Sequence, residues 1–333
     1  MASVYPPAYA PRFSVKIGGT EFPEYDYISD LVVDTTIDGA DHFSITLTYP
    51  FDHEQVSFTD LQWNRFKPGT SVTIKLGYGE GDNAAKEVFK GSIETVKPEF
   101  PTHDPPKAVI SGYSPLREMM RGTNSTSWKK KKLKKVVSSK ASTYLDSVKT
   151  EQAEFKFDRL FQDGESDYRF VKRLAEKYGY EFFSSLGTGY FRPKTGGKSP
   201  EDPVAELYYG ESLESFSAEL TSPDHGEVEV RHWDESKKQK IVGSASNSNG
   251  SGKEVYRVPV TSSSEAKKIA QSKLDGQSIE GVAETFGIPS VKAGKVVKMD
   301  GLGPKFSGKY YVTGATHRMG ESGYRMTIEI TKL

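Results

Sequence analysis

The stretch Gln162–Phe183, QDGESDYRFVKRLAEKYGYEFF, carries a helix with both of its ends written into it. Ser166 or Asp167 offers a side-chain oxygen to the free amides of a first turn. Phe170, Val171, Leu174, Ala175 and Tyr178 then fall on one helical stripe. Gly179 stands where a left-handed residue ends a helix. Beyond it, Tyr180–Arg192 reads as a β-hairpin. Upstream, from Trp128, the residues Leu133, Val136, Val137, Ala141, Tyr144, Leu145 and Val148 follow helical spacing with lysines opposite. Residues 128–192 therefore read as an α+β insertion.

The insertion interrupts strands. In His42–Tyr49 the residues Phe43, Ile45, Leu47 and Tyr49 alternate with polar ones, and Val72, Ile74, Leu76 and Tyr78 do so in Ser71–Tyr78. Pro68-Gly69, Gly77–Asp82 and Pro105-Pro106 mark turns between them. Strands resume in the acidic region after the insertion. Gly243–Gly252, GSASNSNGSG, reads as a flexible connector with nothing to bury. A third helix is expected over about Ser264–Leu274, with Gly276 after it. The end, from Gly281, is strands again, closing on Tyr324, Met326, Ile328 and Ile330. Gly69-x-x-Val72-x-Ile74 is echoed by Gly294-x-x-Val297-x-Met299, and Phe89-Lys90-Gly91 by Phe306-Ser307-Gly308. Such an echo suggests two related β-domains with a helical module between them.

Composition narrows the chemistry. The 333 residues hold 45 basic and 45 acidic side chains and no cysteine, which excludes disulfides, thiol nucleophiles and Cys-based metal sites. No apolar run approaches a membrane helix, so no membrane insertion is expected, and Met1–Arg12 shows no secretory signal. The charges segregate. Arg121–Leu145 has no acid but carries Lys129, Lys130, Lys131, Lys132, Lys134, Lys135 and Lys140. Glu201–Val230 has no Lys or Arg but carries Glu201, Asp202, Glu206, Glu211, Glu214, Glu219, Asp224, Glu227 and Glu229. The two blocks read either as separate solvated faces or as a charge interface between subunits or with a partner. Specific nucleic-acid binding is not expected, because only Trp128 flanks the lysines and the chain is neutral overall.

A catalytic centre is not legible. His42, His53, His103, His225, His232 and His317 show no ligand spacing, and no nucleophile elbow or phosphate-binding glycine loop is present. Glu165 and Asp167 are paired carboxylates, but at a helix start the macrodipole already accounts for acids. Neither a cofactor nor a metal is expected.

The pattern Glu165-Ser166-Asp167-Tyr168-x-Phe170-Val171-x-Arg173-Leu174-Ala175-Glu176-x-x-Gly179-Tyr180-x-Phe182 closely resembles the signature of the late-control D family. These are baseplate central hub proteins of contractile phage tails and phage-tail-like particles. The signature also occurs in the N-terminal part of type VI secretion spike proteins. Collinear segments are similar too: Gly91-Ser92-Ile93, Ser111-Gly112-Tyr113 with Leu116 and Arg121, Leu133–Ala141, Ala266–Leu274, and Gly308-x-Tyr310-x-Val312 with His317 and Gly323-Tyr324-x-Met326-Thr327. The resemblance implies a mainly β fold with α+β insertions, in which two homologous small β-barrels form a pseudo-sixfold ring in a homotrimer. On this resemblance residues 1–121 are the first barrel and 122–203 the insertion. Residues 204–233 with 280–333 form the second barrel, and 234–279 a smaller insertion.

The function implied is a structural, non-enzymatic adaptor joining a central spike to a hexameric tail tube. Its partners would be the spike, a tube or tube-initiator protein, other baseplate proteins, and a tape measure or cargo in the channel. Assembly would occur in the cytoplasm and the product would sit in the tail baseplate of a virion or extracellular particle. Type VI spikes continue into a β-helical needle, which here is expected to be a separate protein. The signature residues are implied to be structural: Phe170 and Leu174 as buried anchors, Asp167 as a cap, Arg173 as partner of a carboxylate, and Gly179 as the turn. The rival readings are a stand-alone carbohydrate-binding or adhesion module and a cell-wall hydrolase of the tail tip.

Overall fold

The computed structural model describes residues 10–23, 25–79, 84–151, 153–194, 202–223, 225–235, 237–248, 250–274 and 278–333. The first strands are β1 (Pro11–Ile17), β2 (Thr20–Glu21), β3 (Ile28–Thr36) and β4 (His42–Leu47), then the short β5 (Phe51–Asp52) and β6 (Ser57–Phe58). β7 (Ser71–Tyr78), β8 (Ala85–Glu99) and β9 (Lys107–Tyr113) follow, with a single turn of helix, α1 (Leu116–Met119). Pairing runs β1-β7-β8-β9-β4-β3. The alternating residues of these strands, among them Val15, Leu31, Phe43, Ile45, Ile74 and Ile110, share one core. Strands at the two ends of the order, β1 and β3, both contribute to it, so the sheet curls around its apolar face. Each such buried side chain contributes roughly 1.5–3 kcal/mol.

The insertion comprises β10 (Asn124–Lys132), α2 (Leu133–Ala141), β11 (Ser147–Thr150), β12 (Lys156–Glu165), α3 (Asp167–Tyr178), β13 (Tyr180–Ser185) and β14 (Thr188–Pro193). β10 pairs with β12, and β11-β14-β13 form a second small sheet. The helical reading from Trp128 holds only from Leu133 to Ala141. Lys129–Lys132 are instead strand residues laddered with β12, and Val148 lies in β11. The apolar spacing ran on because Trp128 also faces the insertion core, where its ring stacks on Phe170 at 5.1 Å.

β15 (Ala205–Tyr208) and β16 (Leu213–Thr221) begin the second half of the main sheet. β17 (Glu227–Asp234), β18 (Gln239–Ser246), β19 (Lys253–Arg257) and α4 (Ser263–Lys273) come next. β17 was expected in the second barrel, but it pairs with β18 and β19 in a separate three-stranded sheet. Val228 and Val230 share the insertion core with Ile269 and Phe170, so both insertions form one apolar body. The supposed connector is not free either. Gly243–Ser246 lie in β18, and a Cβ on Gly243 would come within 2.2 Å of the Lys267 backbone nitrogen of α4. That glycine permits helix-on-sheet packing. Gly276 lies outside the described residues.

The chain ends with β20 (Ser278–Phe286), β21 (Val296–Asp300), α5 (Gly303–Phe306), β22 (Gly308–Gly320) and β23 (Gly323–Lys332). Pairing runs β21-β22-β23-β20-β16 around a second core that includes Val297, Tyr310, Val312, Ile328 and Ile330. This order repeats β7-β8-β9-β4-β3 of the first half. The turns before β7 and β21 also match. Thr70 N donates to Lys67 O at 3.0 Å and Lys295 N to Lys292 O at 3.1 Å, with Gly69 at φ +88° and Gly294 at φ +83°. Gly69 N reaches Ile93 O, and Gly294 N reaches Val312 O, both at 2.8 Å. Two register shifts recur at corresponding places: Ile93/Thr95 with Val312/Gly314, and Ile28/Asp30 with Leu213/Ser215. Bulges are specific features of a ladder, so their recurrence marks two equivalent halves. The Phe-x-Gly echo is out of step: Val72 faces Gly91 but Val297 faces Tyr310, so Gly308 is not the counterpart of Gly91.

The halves are fused at one seam, where β22 pairs with β3 from Gly314↔Thr36 to Met319↔Leu31. The fold is thus mainly β, with the α+β insertions gathered into a third core.

Candidate functional site

At the start of α3, Ser166 Oγ accepts from Arg169 N at 3.2 Å and is the helix cap. Asp167 is the first helical residue and has a different job. Its carboxylate accepts from Gln162 Nε2 at 2.7 Å, Lys140 Nζ at 2.9 Å, Asn124 Nδ2 at 3.0 Å and Tyr144 OH at 3.1 Å. Burial alone would raise its pKa, but the bonds from Gln162, Lys140 and Asn124 outweigh that and hold it below the usual carboxylate range. One side chain thereby ties α3 to α2, β10 and β12. Glu165 is held by the Arg173 guanidinium, which also donates to Phe161 O. Phe170 and Leu174 are fully buried, and Gly179 takes φ +73°. A Cβ on Gly179 would strike Ser272 Oγ at 1.7 Å, so this glycine also lets α3 approach α4. Both acids of the candidate catalytic pair are therefore bonded to neighbouring donors.

The lysine block divides by role. Lys132 and Lys134 both bind Glu154, whose pKa their hydrogen bonds pull down to about 2. Lys140 holds Asp167 and lies over the Trp128 ring. Lys129, Lys130, Lys131 and Lys135 are exposed. The acidic block is partly neutralised within the chain: Glu214 pairs with Arg325, Glu227 and Glu229 with Lys253, and Glu229 also with Arg231. Glu201 and Asp224 lie outside the described residues.

A buried network not legible in the sequence docks the insertion on the second core. Arg192 Nε of β14 donates to Glu181 Oε1 of β13 at 2.6 Å, and its guanidinium reaches Gly294 O at 2.8 Å and Tyr311 OH at 3.1 Å. Tyr311 OH donates in turn to Glu181 at 2.8 Å. The only sequence hint is two opposite charges inside the apolar hairpin 180–192.

Among the described residues no group of three or more His, Asp or Glu could hold a metal ion. Nor is any helix there long and apolar enough to cross a membrane. An open recess of about 610 Å³ beside Tyr27 and Tyr49 carries aromatic rings. Those two rings stack on each other at 4.1 Å.

The fold these elements define, a β-sheet unit duplicated within one chain and carrying α+β insertions, is one that solved phage tail proteins also show. Over its whole length the chain is similar to the 43 kDa tail protein of prophage MuSo2 from Shewanella oneidensis. Identity there is 13%, TM-score 0.70, and 97% of this chain and 98% of that one are covered. It is similar to a tail protein from Neisseria meningitidis MC58 at 15% identity and TM-score 0.69, covering 97% of each chain. The Escherichia coli c3393 protein, described as a component of the type VI secretion system, matches at 12% identity and TM-score 0.58. In that case 95% of this chain and 76% of that one are covered. At these identities the likeness is one of fold. By sequence, the chain belongs to the family described as Alg8 N-terminal domain, matched over residues 8–255 and 254–321. No curated protein matches it.

Proposed function

We propose that this chain is a structural, non-enzymatic hub of a contractile tail or injection apparatus, of the late-control D type. It would act as a homotrimeric adaptor between a central spike and the hexameric inner tube. The observation that carries this reading is the duplication. Three chains with two equivalent sheet units each present six similar units, matching threefold symmetry on one face to sixfold on the other. The end-to-end likeness in fold to prophage tail proteins supports it. The first unit takes in residues 1–121, the second the strands from 205 to 221 and from 278 onward, and the insertions decorate the outside. Partners on this reading are the spike, a tube or tube-initiator protein, other baseplate proteins, and a tape measure or cargo in the channel. Assembly takes place in the cytoplasm, and the product sits at the tail tip of a virion or extracellular particle.

Light scattering across a concentration series tests this. A mass three times the chain's 36.9 kDa is expected. A monomer at every concentration, alone and with a co-expressed spike protein, would overturn it.

A further inference from the structure

We propose that copies of this chain join head to tail through strand pairing, the outer edge of β8 over 94–100 on one copy laddering with the outer edge of β16 over 216–222 on the next. This rests on the assembly reading above and names its contact. The argument comes from the seam inside the chain. There β22 pairs with β3, and the matching turns and bulges make β8 the counterpart of β22 and β16 the counterpart of β3. Each half therefore owns one edge of the kind that meets at the seam, and the other two edges are unused.

Both are open in the monomer. β8 pairs with β7 only up to Ser92 and with β9 on its other side, so past Ile93 one edge has no strand beside it among the described residues. β16 ends the main sheet, pairing with β20 along one side only, apart from an isolated bridge between Tyr209 and Leu213. Unpaired edges of this length attract other strands unless something blunts them.

The seam also dictates the register. It places Gly314 opposite Thr36 and Met319 opposite Leu31, and Ile37 N donates to Thr313 O at 3.0 Å. Transferred through the equivalences, Thr95 stands opposite Thr221, Val96 opposite Leu220, Lys97 opposite Glu219, Pro98 opposite Ala218, Glu99 opposite Ser217 and Phe100 opposite Phe216. Three features of the side chains agree with that register.

Val96 packs on the first core and Leu220, Ala218 and Phe216 on the second, so apolar residues meet apolar ones on one face and polar meet polar on the other. Glu219 is exposed, lies directly opposite Glu280 on β20, and has no ion-pair partner among the described residues. Like charges facing each other destabilise a ladder, and Lys97 of the next copy would offset them. Phe100 is 61% exposed although its ring reaches Phe51 and Phe58. A slip of one residue would set Lys97 against the apolar face. Pro98 stands where His317 does in the seam and lacks an amide, so the joint has one ladder bond fewer. A proline on an open edge also discourages indiscriminate pairing.

The chain has no cysteine, so an engineered pair reads the contact directly. In this register Lys97 and Glu219 form a non-hydrogen-bonded pair, with Cα atoms roughly 4.5 Å apart, within disulfide reach. The full chain carrying Lys97→Cys and Glu219→Cys is expected to give reducible covalent oligomers on mild oxidation. Each single variant, and Lys97→Cys with Ser217→Cys, should give several-fold less. If the double variant shows an oligomeric mass by light scattering yet forms no such disulfide, the edge pairing is overturned while the hub reading stands. If it is monomeric and uncrosslinked at every concentration, alone and with a co-expressed spike protein, and the wild type is monomeric under the same conditions, both fall. Equal crosslinking by the Ser217 pair would overturn the register.

Discussion

Arg192 and Glu181 form a buried ion pair, 2.6 Å apart, at the place where the insertion meets the second core. The guanidinium also reaches the carbonyl of Gly294, the glycine of the turn that leads into the repeated strand β21. A Cβ on Gly294 would in addition press into the Phe183 ring at 2.4 Å. One residue thus serves both the duplication and the docking of the insertion.

Breaking such a pair from one side leaves an uncompensated buried charge. Glu181→Ala or Arg192→Ala should each lower the unfolding free energy by about 3–5 kcal/mol. The apolar pair Glu181→Leu with Arg192→Met should cost less than the sum of the two single losses. Urea denaturation of the purified variants checks this, and single losses below about 1 kcal/mol would contradict it.

Asp167 separates a structural reading of the signature from a catalytic one. With four donors converging on it, Asp167→Ala should cost about 3 kcal/mol and Asp167→Asn less. Its pKa is lowered in the fold, so its stabilisation is complete above the usual carboxyl pKa near 3.9 and is lost as pH falls through the folded value. In an acid titration of thermal stability, the gap between wild type and Asp167→Asn should stay constant above that range and close only at the acid end. A variant that stays fully stable but loses a cell-wall-cleaving activity would favour the hydrolase.

Why α3 was readable and its surroundings were not has a physical answer. Ser166, the Phe170–Leu174 stripe and Gly179 all act within one helix, so local spacing reveals them. Gly69 and Gly294 were readable because each occupies a left-handed turn that glycine favours. By contrast Lys129–Lys132 sit on an exposed strand with no alternation to betray it. Gly243 looks like a linker glycine, yet its missing side chain makes room for a helix distant in sequence. The strand Glu227–Asp234 is patterned like its barrel neighbours, and only long-range pairing assigns it elsewhere.

His317 lies on the seam opposite Val33, and its Nδ1 is 2.7 Å from Tyr324 OH. Burial, aided by Lys292, pushes its pKa down to about 3. In the unfolded chain it titrates near 6.5, so below that pH the unfolded state takes up a proton the fold refuses. Stability therefore falls as pH drops from about 6.5 toward 3. The His317→Gln variant should lack this component, its stability declining between about pH 6 and 4 by roughly 1.4 kcal/mol per pH unit less than wild type. Urea midpoints at several pH values measure the two slopes, and equal slopes would refute the assignment. Asp41, buried and raised to about 7, pulls the other way, but equally in both proteins.

The exposed lysines bear on assembly rather than folding. Lys132, Lys134 and Lys140 are engaged within the chain, whereas Lys129, Lys130 and Lys131 are exposed on β10. Changing these three to glutamate should alter monomer stability by no more than about 0.5 kcal/mol per site. If they face an acidic surface on a neighbouring copy or partner, the change should shift the oligomer toward monomer in low salt. Because exposed charges are screened over about 10 Å at 0.1 M salt, the wild-type oligomer should weaken as salt rises and the variant should be nearly indifferent to it. Light scattering at two salt concentrations measures both effects, and identical masses for the two proteins throughout would rule the lysines out of the interface.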